Sequence, residues 1–302
     1  MGNPDFAVPS LDVLNNSRHD VVAVVSSPDR PKGRGRIISG LPVANKASKL
    51  GLKLIQPYSM NNAQFFNELS EINADIFVVI AFKILPQYVF QIPKFGSINL
   101  HPSFLPKYRG AAPIQHAIMN GENSTGITTF YISNKVDAGD ILLTTPLLIF
   151  PDDDSGDLSM RASFIGADLI LKTINLISSG FQSSKSQEKY GESKAPKINS
   201  TDRKIDWTRT NVEIKNKIRA LSPFPGAYTK LGKQRLGIYK VSLSFEEYGF
   251  PGNLKVVKKS SLMVQCGSGS VIIEEIHPEG KKRMTGSQFL NGTNVYNGDY
   301  FE

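Results

Sequence analysis

Cysteine is nearly absent: Cys266 stands alone among 302 residues. One thiol cannot form an intramolecular disulfide, and it cannot build a cysteine zinc cage. Histidine is scarce too, with four in the chain and none at metal-ligand spacing. No metal is expected. Apolar residues make up 40%, yet no apolar run approaches the roughly 20 residues that a membrane span needs. The opening residues 1–14 hold no basic stretch followed by an apolar one, so no secretory leader is read there. The Gly-Lys-Ser/Thr element of a phosphate-cradling loop is also missing. Together these absences point to a cytoplasmic protein that has no membrane partner.

Positive charge is in excess, at +8, and it is unevenly spread. Residues 201–302 hold 16 Lys+Arg against 10 Asp+Glu. A basic region attracts polyanions, because each phosphate contact releases counterions. A merely soluble basic surface would look the same.

The first 180 residues alternate strand-like and helix-like segments. Short β-branched runs at 21–25, 76–80 and 97–100 suit strands buried on both faces. Helical patterns cover 42–50, 62–69, 111–119 and 158–178, with Gly51 and Gly180 just past two of the ends. Such alternation predicts an α/β fold with a doubly wound, mostly parallel sheet. Met1-Gly2-Asn3-Pro4 falls where a first strand should be ending, so that strand is expected to be truncated. Residues 181–200 are rich in Ser, Lys, Gln, Glu and Gly and lack apolar periodicity, which reads as an interdomain linker. Beyond a helix at 212–221 come short extended pieces punctuated by Gly and Pro, the texture of a small β-barrel. The expected division is 1–180, a linker at 181–203, and 204–302.

Asn99 and His101 end the strand at 97–100. Two residues apart in extended chain, they share a face. They lie at a strand's carboxyl end, where doubly wound sheets bind ligands. An amide can donate to a developing oxyanion, and an imidazole can move a proton near neutrality. A capped strand end with a hydrogen-bonded histidine fits the same spacing. Asp137, in the turn Lys135-Val136-Asp137-Ala138-Gly139-Asp140, could pair with His101 and raise its pKa; an ordinary Asp turn remains open as well. Arg30, Lys32, Arg34 and Arg36 sit among glycines and prolines with nothing to pack, either as a solvated loop or as a basic arm that orders on a phosphate backbone. His19, His116 and His277 are isolated. Asp152, Asp153 and Asp154 read as solvent-facing residues that cap the next helix. Trp207 reads as a packing residue.

The run Asn99-x-His101-Pro102-Ser103-Phe104-Leu105-Pro106-Lys107-Tyr108-Arg109-Gly110-Ala111-Ala112-Pro113 resembles the signature of 10-formyltetrahydrofolate-dependent formyltransferases. Asp137-Ala138-Gly139-Asp140 resembles that family's second catalytic segment. The opening segment 1–7, the basic segment 28–35 and the segments 218–227 and 278–282 are similar to the branch that acts on a charged initiator tRNA. The resemblance implies a Rossmann-like catalytic domain followed by an OB-like barrel that holds tRNA. It implies Asn99, His101 and Asp137 as the catalytic trio, with His101 protonated to stabilise the oxyanion. It sets Ser103, Phe104, Leu105 and Pro106 against 10-formyltetrahydrofolate, with the backbone around Ala81 and Leu85 lining the pterin pocket. It assigns Arg30, Lys32, Arg34 and Arg36 to tRNA. The implied reaction moves a formyl group onto the α-amine of the tRNA-borne methionine, in a monomer. Phe104 stands where Leu is usual, an apolar change that should still pack. Two alternatives are a formyltransferase for an amino sugar nucleotide and a non-catalytic tRNA-binding relative.

Overall fold

A computed structural model describes residues 1–32, 37–180, 183–187, 191–257 and 260–302, with backbone alone at 30–32 and 37–39. Its elements run α1 (Val8–Asn15), β1 (Val24–Val25), β2 (Arg30–Lys32), β3 (Ile37–Ser39), α2 (Pro42–Lys49), β4 (Leu54–Ile55), α3 (Ala63–Ile72), β5 (Phe77–Val79), α4 (Gln87–Phe90), β6 (Ser97–His101), α5 (Pro113–Met119), β7 (Ser124–Tyr131), β8 (Ile141–Leu148) and α6 (Ser155–Ser178). Then follow α7 (Asn211–Leu221), β9 (Ala227–Leu231), β10 (Gln234–Ser244), β11 (Leu254–Val257), β12 (Ser261–Gln265), β13 (Ser270–Pro278), β14 (Met284–Thr285) and α8 (Gly286–Asn291).

The α/β expectation holds. β1 pairs with β4 in parallel, and β5 pairs with β6 in parallel. β7 joins β6 antiparallel, and β8 follows β7 in the sheet order β5-β6-β7-β8. Three of the four parallel strands, β1, β5 and β6, fall in the β-branched runs, and Val24, Val25, Phe77, Val79, Ile98 and Leu100 are all buried, as strands covered on both faces require. Helix α6 lies close on β6: a Cβ at Gly166 would come within 2.6 Å of the Leu100 side chain. Thr173 of α6 and Thr129 of β7 satisfy each other at 2.8 Å. The strand that ends in His101 is thus clamped on its helix side.

Met1 and Gly2 supply a short rung between β1 and β5. The Gly2 N–H donates to the Val25 carbonyl, and the Ile80 N–H donates to the Met1 carbonyl. The Met1 ammonium donates to the Val78 carbonyl at 2.7 Å, and burial pushes its pKa down to about 5. Beside it lies an apolar cavity of about 460 Å³, walled by residues such as Val22, Val24, Leu69, Phe77, Ile174 and Ile177.

Local signals behave as sequence rules expect. Pro42 opens α2, and Gly51 follows its end at φ +67°. Thr210 and Glu213 form a reciprocal capping box on α7, and Thr285 and Gln288 form another on α8. Several elements escape the sequence patterns, among them α1, α4, the β2–β3 hairpin, β11, β14 and α8; all of these but α1 have six residues or fewer per element.

Two compact units emerge. The first comprises Met1–Pro113, Ser124–Leu147 and Ser159–Ala195; the second comprises Ile114–Asn123, Leu148–Leu158 and Pro196–Glu302. In the second unit β11-β12-β13-β10-β9 form one antiparallel sheet with β14 on β13. That is the sheet an OB-like barrel is made of. Its core gathers Ile214, Ile218 and Leu221 of α7, alternate residues of β10, β12 and β13, and Phe289 of α8. Trp207 belongs to this core; its indole N–H donates to the Thr229 hydroxyl at 2.9 Å, and its ring tilts against Phe301.

Candidate active site

Strand β6 delivers the two residues that the sequence singles out. Asn99 stands opposite Val79 of β5 and Phe130 of β7; His101 stands opposite Thr128. Asn99 is half-buried and His101 is 5% exposed. Beyond His101 the chain turns sharply, and the Ser103 N–H donates to the His101 carbonyl. The Thr128 hydroxyl donates to the Ser103 carbonyl at 2.7 Å, which fastens this loop to β7. Ser103 is fully buried, and its hydroxyl donates to the Lys107 carbonyl at 2.6 Å, so that group is spent inside the loop. Leu105 is buried, and its peptide bond to Pro106 is cis. Phe104 is accommodated because residue 126 is glycine: a Cβ there would come within 2.3 Å of the ring.

The loop returns to cover His101. The Tyr108 carbonyl lies 2.9 Å from Nε2 of the imidazole. A carbonyl only accepts, so Nε2 carries the hydrogen and Nδ1 is left with its lone pair. Asp137 comes from the turn between β7 and β8. Its Oδ2 lies 3.8 Å from Nδ1 and accepts the Gly110 N–H at 2.9 Å. The turn is tight: Asp137 has φ +52°, and a Cβ at Gly139 would come within 1.7 Å of the Tyr131 carbonyl oxygen. Only glycine fits there.

The structure therefore brings Asn99, His101 and Asp137 to one end of the sheet, and it corrects one expectation. Burial holds the His101 pKa below its ordinary value, although Asp137 and the Tyr108 carbonyl both pull it up. Desolvation of the cation outweighs its partners, and the imidazole is neutral near pH 7. The loop after β5 lies at the carboxyl end of the strand next to β6. In it Ala81 adopts φ +47°, Leu85 is buried and Ile84 is 78% exposed. An apolar side chain held in water beside a strand end is suited to a flat aromatic ligand.

A more consequential residue lay hidden in the polar stretch read as a linker. The Gln187 amide donates to the Asp137 carbonyl at 3.0 Å and to the Gly139 carbonyl at 2.7 Å. Its oxygen accepts from the Arg109 guanidinium, through Nη2 at 2.6 Å and Nε at 3.0 Å. Periodicity cannot flag such a residue, because its partners lie 50 and 78 positions away.

The remaining candidates take plain roles. His19 bonds to Asn175, His116 to the Pro196 carbonyl and His277 to the Lys281 carbonyl. Asp153 and Asp154 accept backbone N–H groups around the start of α6. Among the described residues no group of three His, Cys, Asp or Glu is placed to hold a metal ion. Arg30 and Lys32 lie on β2, paired with β3 as a hairpin. Arg34 and Arg36 lie outside the described residues.

Comparison with known proteins bears on the whole chain. The formyl transferase family matches residues 1–174, and its C-terminal domain matches 197–294. The methionyl-tRNA formyltransferase of Geobacter metallireducens is 42% identical over 293 residues, covering 97% of this chain and 94% of that protein. The fold is shared with an N-formyltransferase from Helicobacter canadensis solved with folinic acid and dTDP-3-aminofucose: TM-score 0.67, 24% identity, 90% of this chain and 96% of that one. It is shared also with methionyl-tRNA formyltransferase from Clostridium thermocellum: TM-score 0.53, 21% identity, 76% of this chain and 92% of that one. With catalytic and C-terminal regions both matched, and with relatives this similar over nearly its full length, the chain belongs to the formyl transferase family.

Proposed function

We propose that this enzyme transfers a formyl group from 10-formyltetrahydrofolate to the α-amine of methionine on charged initiator tRNA, in the cytoplasm and as a monomer. One observation carries the chemistry: Asn99, His101 and Asp137 converge at the carboxyl end of β6. In this reading residues 1–180 are the catalytic domain, 181–203 the linker and 204–302 the tRNA-holding domain. Ser103, Phe104, Leu105 and Pro106 border the folate, with the loop around Ala81 opposite. Arg30, Lys32, Arg34 and Arg36 meet tRNA phosphates.

The amine nitrogen attacks the formyl carbon, and the carbonyl oxygen gains the charge. The Asn99 amide donates to that oxygen. Nδ1 of neutral His101 takes the proton that the amine loses. Asp137 then faces an imidazolium across 3.8 Å and stabilises it. The carbon–N10 bond breaks, and the proton passes to N10 of the departing folate. No covalent enzyme intermediate is required.

Identity of 42% over nearly the full length to a methionyl-tRNA formyltransferase favours a tRNA acceptor over an amino sugar nucleotide. Labelled formyl donor offered with each acceptor separately tests this. Label on methionyl-tRNA alone is expected; label on the sugar alone refutes the assignment, and label on neither points to a non-catalytic relative.

A further inference from the structure

The polar segment that follows α6 does more than connect. Its described parts, 183–187 and 191–195, lie along both loops of the active site. Lys185 and Ile141 exchange both backbone hydrogen bonds at 2.8 Å, beside the turn that carries Asp137. Farther on, the Tyr108 N–H donates to the Ser193 hydroxyl at 2.9 Å. The Arg109 N–H donates to the Ser193 carbonyl, and the Ala195 N–H returns a bond to the Arg109 carbonyl at 2.7 Å. Gly110 makes room for this strap, since a Cβ there would lie 2.4 Å from the Ala195 carbonyl oxygen.

Gln187 joins the two loops across the strap. A carboxamide offers two N–H bonds and two acceptor positions. Here both N–H bonds reach the carbonyls of Asp137 and Gly139, and the oxygen takes two bonds from Arg109. One loop presents the Tyr108 carbonyl that fixes the His101 tautomer, together with the Gly110 N–H that fixes the Asp137 carboxylate. The other loop is the Asp137 turn itself. The remaining Arg109 nitrogen, Nη1, pairs with Glu192 of the same strap at 2.9 Å.

From this geometry we infer that Gln187 is a positioning residue for formyl transfer, its amide fixing the Asp137 turn against the Tyr108–Gly110 loop and hence Asp137 against His101. The inference rests on the reading above of His101 and Asp137 as the reacting pair. No other side chain of this length meets both demands. A glutamate would set carboxylate oxygens against two carbonyls. A methionine would keep the shape and lose every strong hydrogen bond.

The test compares Gln187→Glu and Gln187→Met with the unaltered 302-residue protein. Both should fold, since Gln187 is only half-buried. The expected kcat falls by about 10- to 100-fold, the scale on which small misplacements of reacting groups act. KM for formyl-folate and for charged tRNA should change less than about threefold. Combined with Asp137→Asn, Gln187→Glu should add almost nothing, because the positioned group is gone. Unchanged kcat, or a loss that multiplies with Asp137→Asn, overturns the inference. A second readout needs no substrate: the pH titration of the His101 ring, followed by NMR in the free protein. Gln187→Met, which adds no charge, should move that titration. An unmoved titration overturns the positioning role even if the unaltered enzyme uses some other acceptor. Loss of transfer to tRNA by the unaltered enzyme, with the titration still moved, overturns only the assigned acceptor.

Discussion

Two stretches of this chain look alike on paper and end up differently. Residues 26–36 and 181–200 are both polar, both poor in apolar residues and both expected as loops. In the first, residues 30–32 form β2, which pairs with β3 just beyond the segment. The second is knitted into the first compact unit by Lys185, Gln187, Ser193 and Ala195. Composition reports that a segment has no core to join. It says nothing about whether its amides will find carbonyls far away in sequence. Besides the local β2–β3 pairing, residues 26–29 draw on Asn3 and Gln56, 23 to 29 positions away, whereas the strap is shaped by partners such as Asp140 and Tyr108, 44 and 85 positions away within one unit.

That contrast predicts distinct kinetic signatures. The largest loss should come at the residues the strap serves. His101→Ala and Asp137→Ala should each lower kcat by about 1,000-fold or more, the upper range for general acid–base groups, with circular dichroism unchanged. Activity within tenfold of the unaltered enzyme would remove both from the chemistry. Next come the Gln187 variants, with their smaller fall in kcat and steady KM. The smallest effect belongs to the hairpin side. Replacing Arg34 and Arg36 by alanine should lower kcat/KM for charged tRNA by roughly tenfold and lessen its salt dependence by about one unit of slope per lost phosphate contact. KM for folate should stay put. A fall in kcat with no change in salt dependence would erase the proposed distinction between the two segments.

Much of the scaffold was legible because its signals are local. β-branched runs marked β5 and β6, and Pro42 with Gly51 marked the ends of α2. Spacing on a strand put Asn99 and His101 on one face, but only the resemblance gave them roles. The turn around Asp137 was legible from its glycine, while the place of Asp137 beside His101 came only from the resemblance; Gly139 is glycine because the Tyr131 carbonyl leaves no room for more. The charge of His101 was not legible. Its negative neighbour suggested a cation, but depth in the protein outweighs that neighbour, and depth is set by how Phe130, Tyr108 and the covering loop assemble. Gln187 was invisible for a related reason: nothing in Ser-Gln-Glu distinguishes an amide that makes four hydrogen bonds to the protein from one that meets water.

The central claim is that His101 works as a neutral base, with its hydrogen on Nε2 and its lone pair on Nδ1 beside Asp137. The sign follows from burial: a lowered pKa keeps the ring uncharged at pH 7 and delays protonation until the pH falls below the ordinary histidine value of about 6.5. Nitrogen-15 NMR of the His101 ring in the free protein at pH 7 reads this directly. One protonated nitrogen at Nε2 and one bare nitrogen at Nδ1 is the predicted result; two protonated nitrogens would contradict the account.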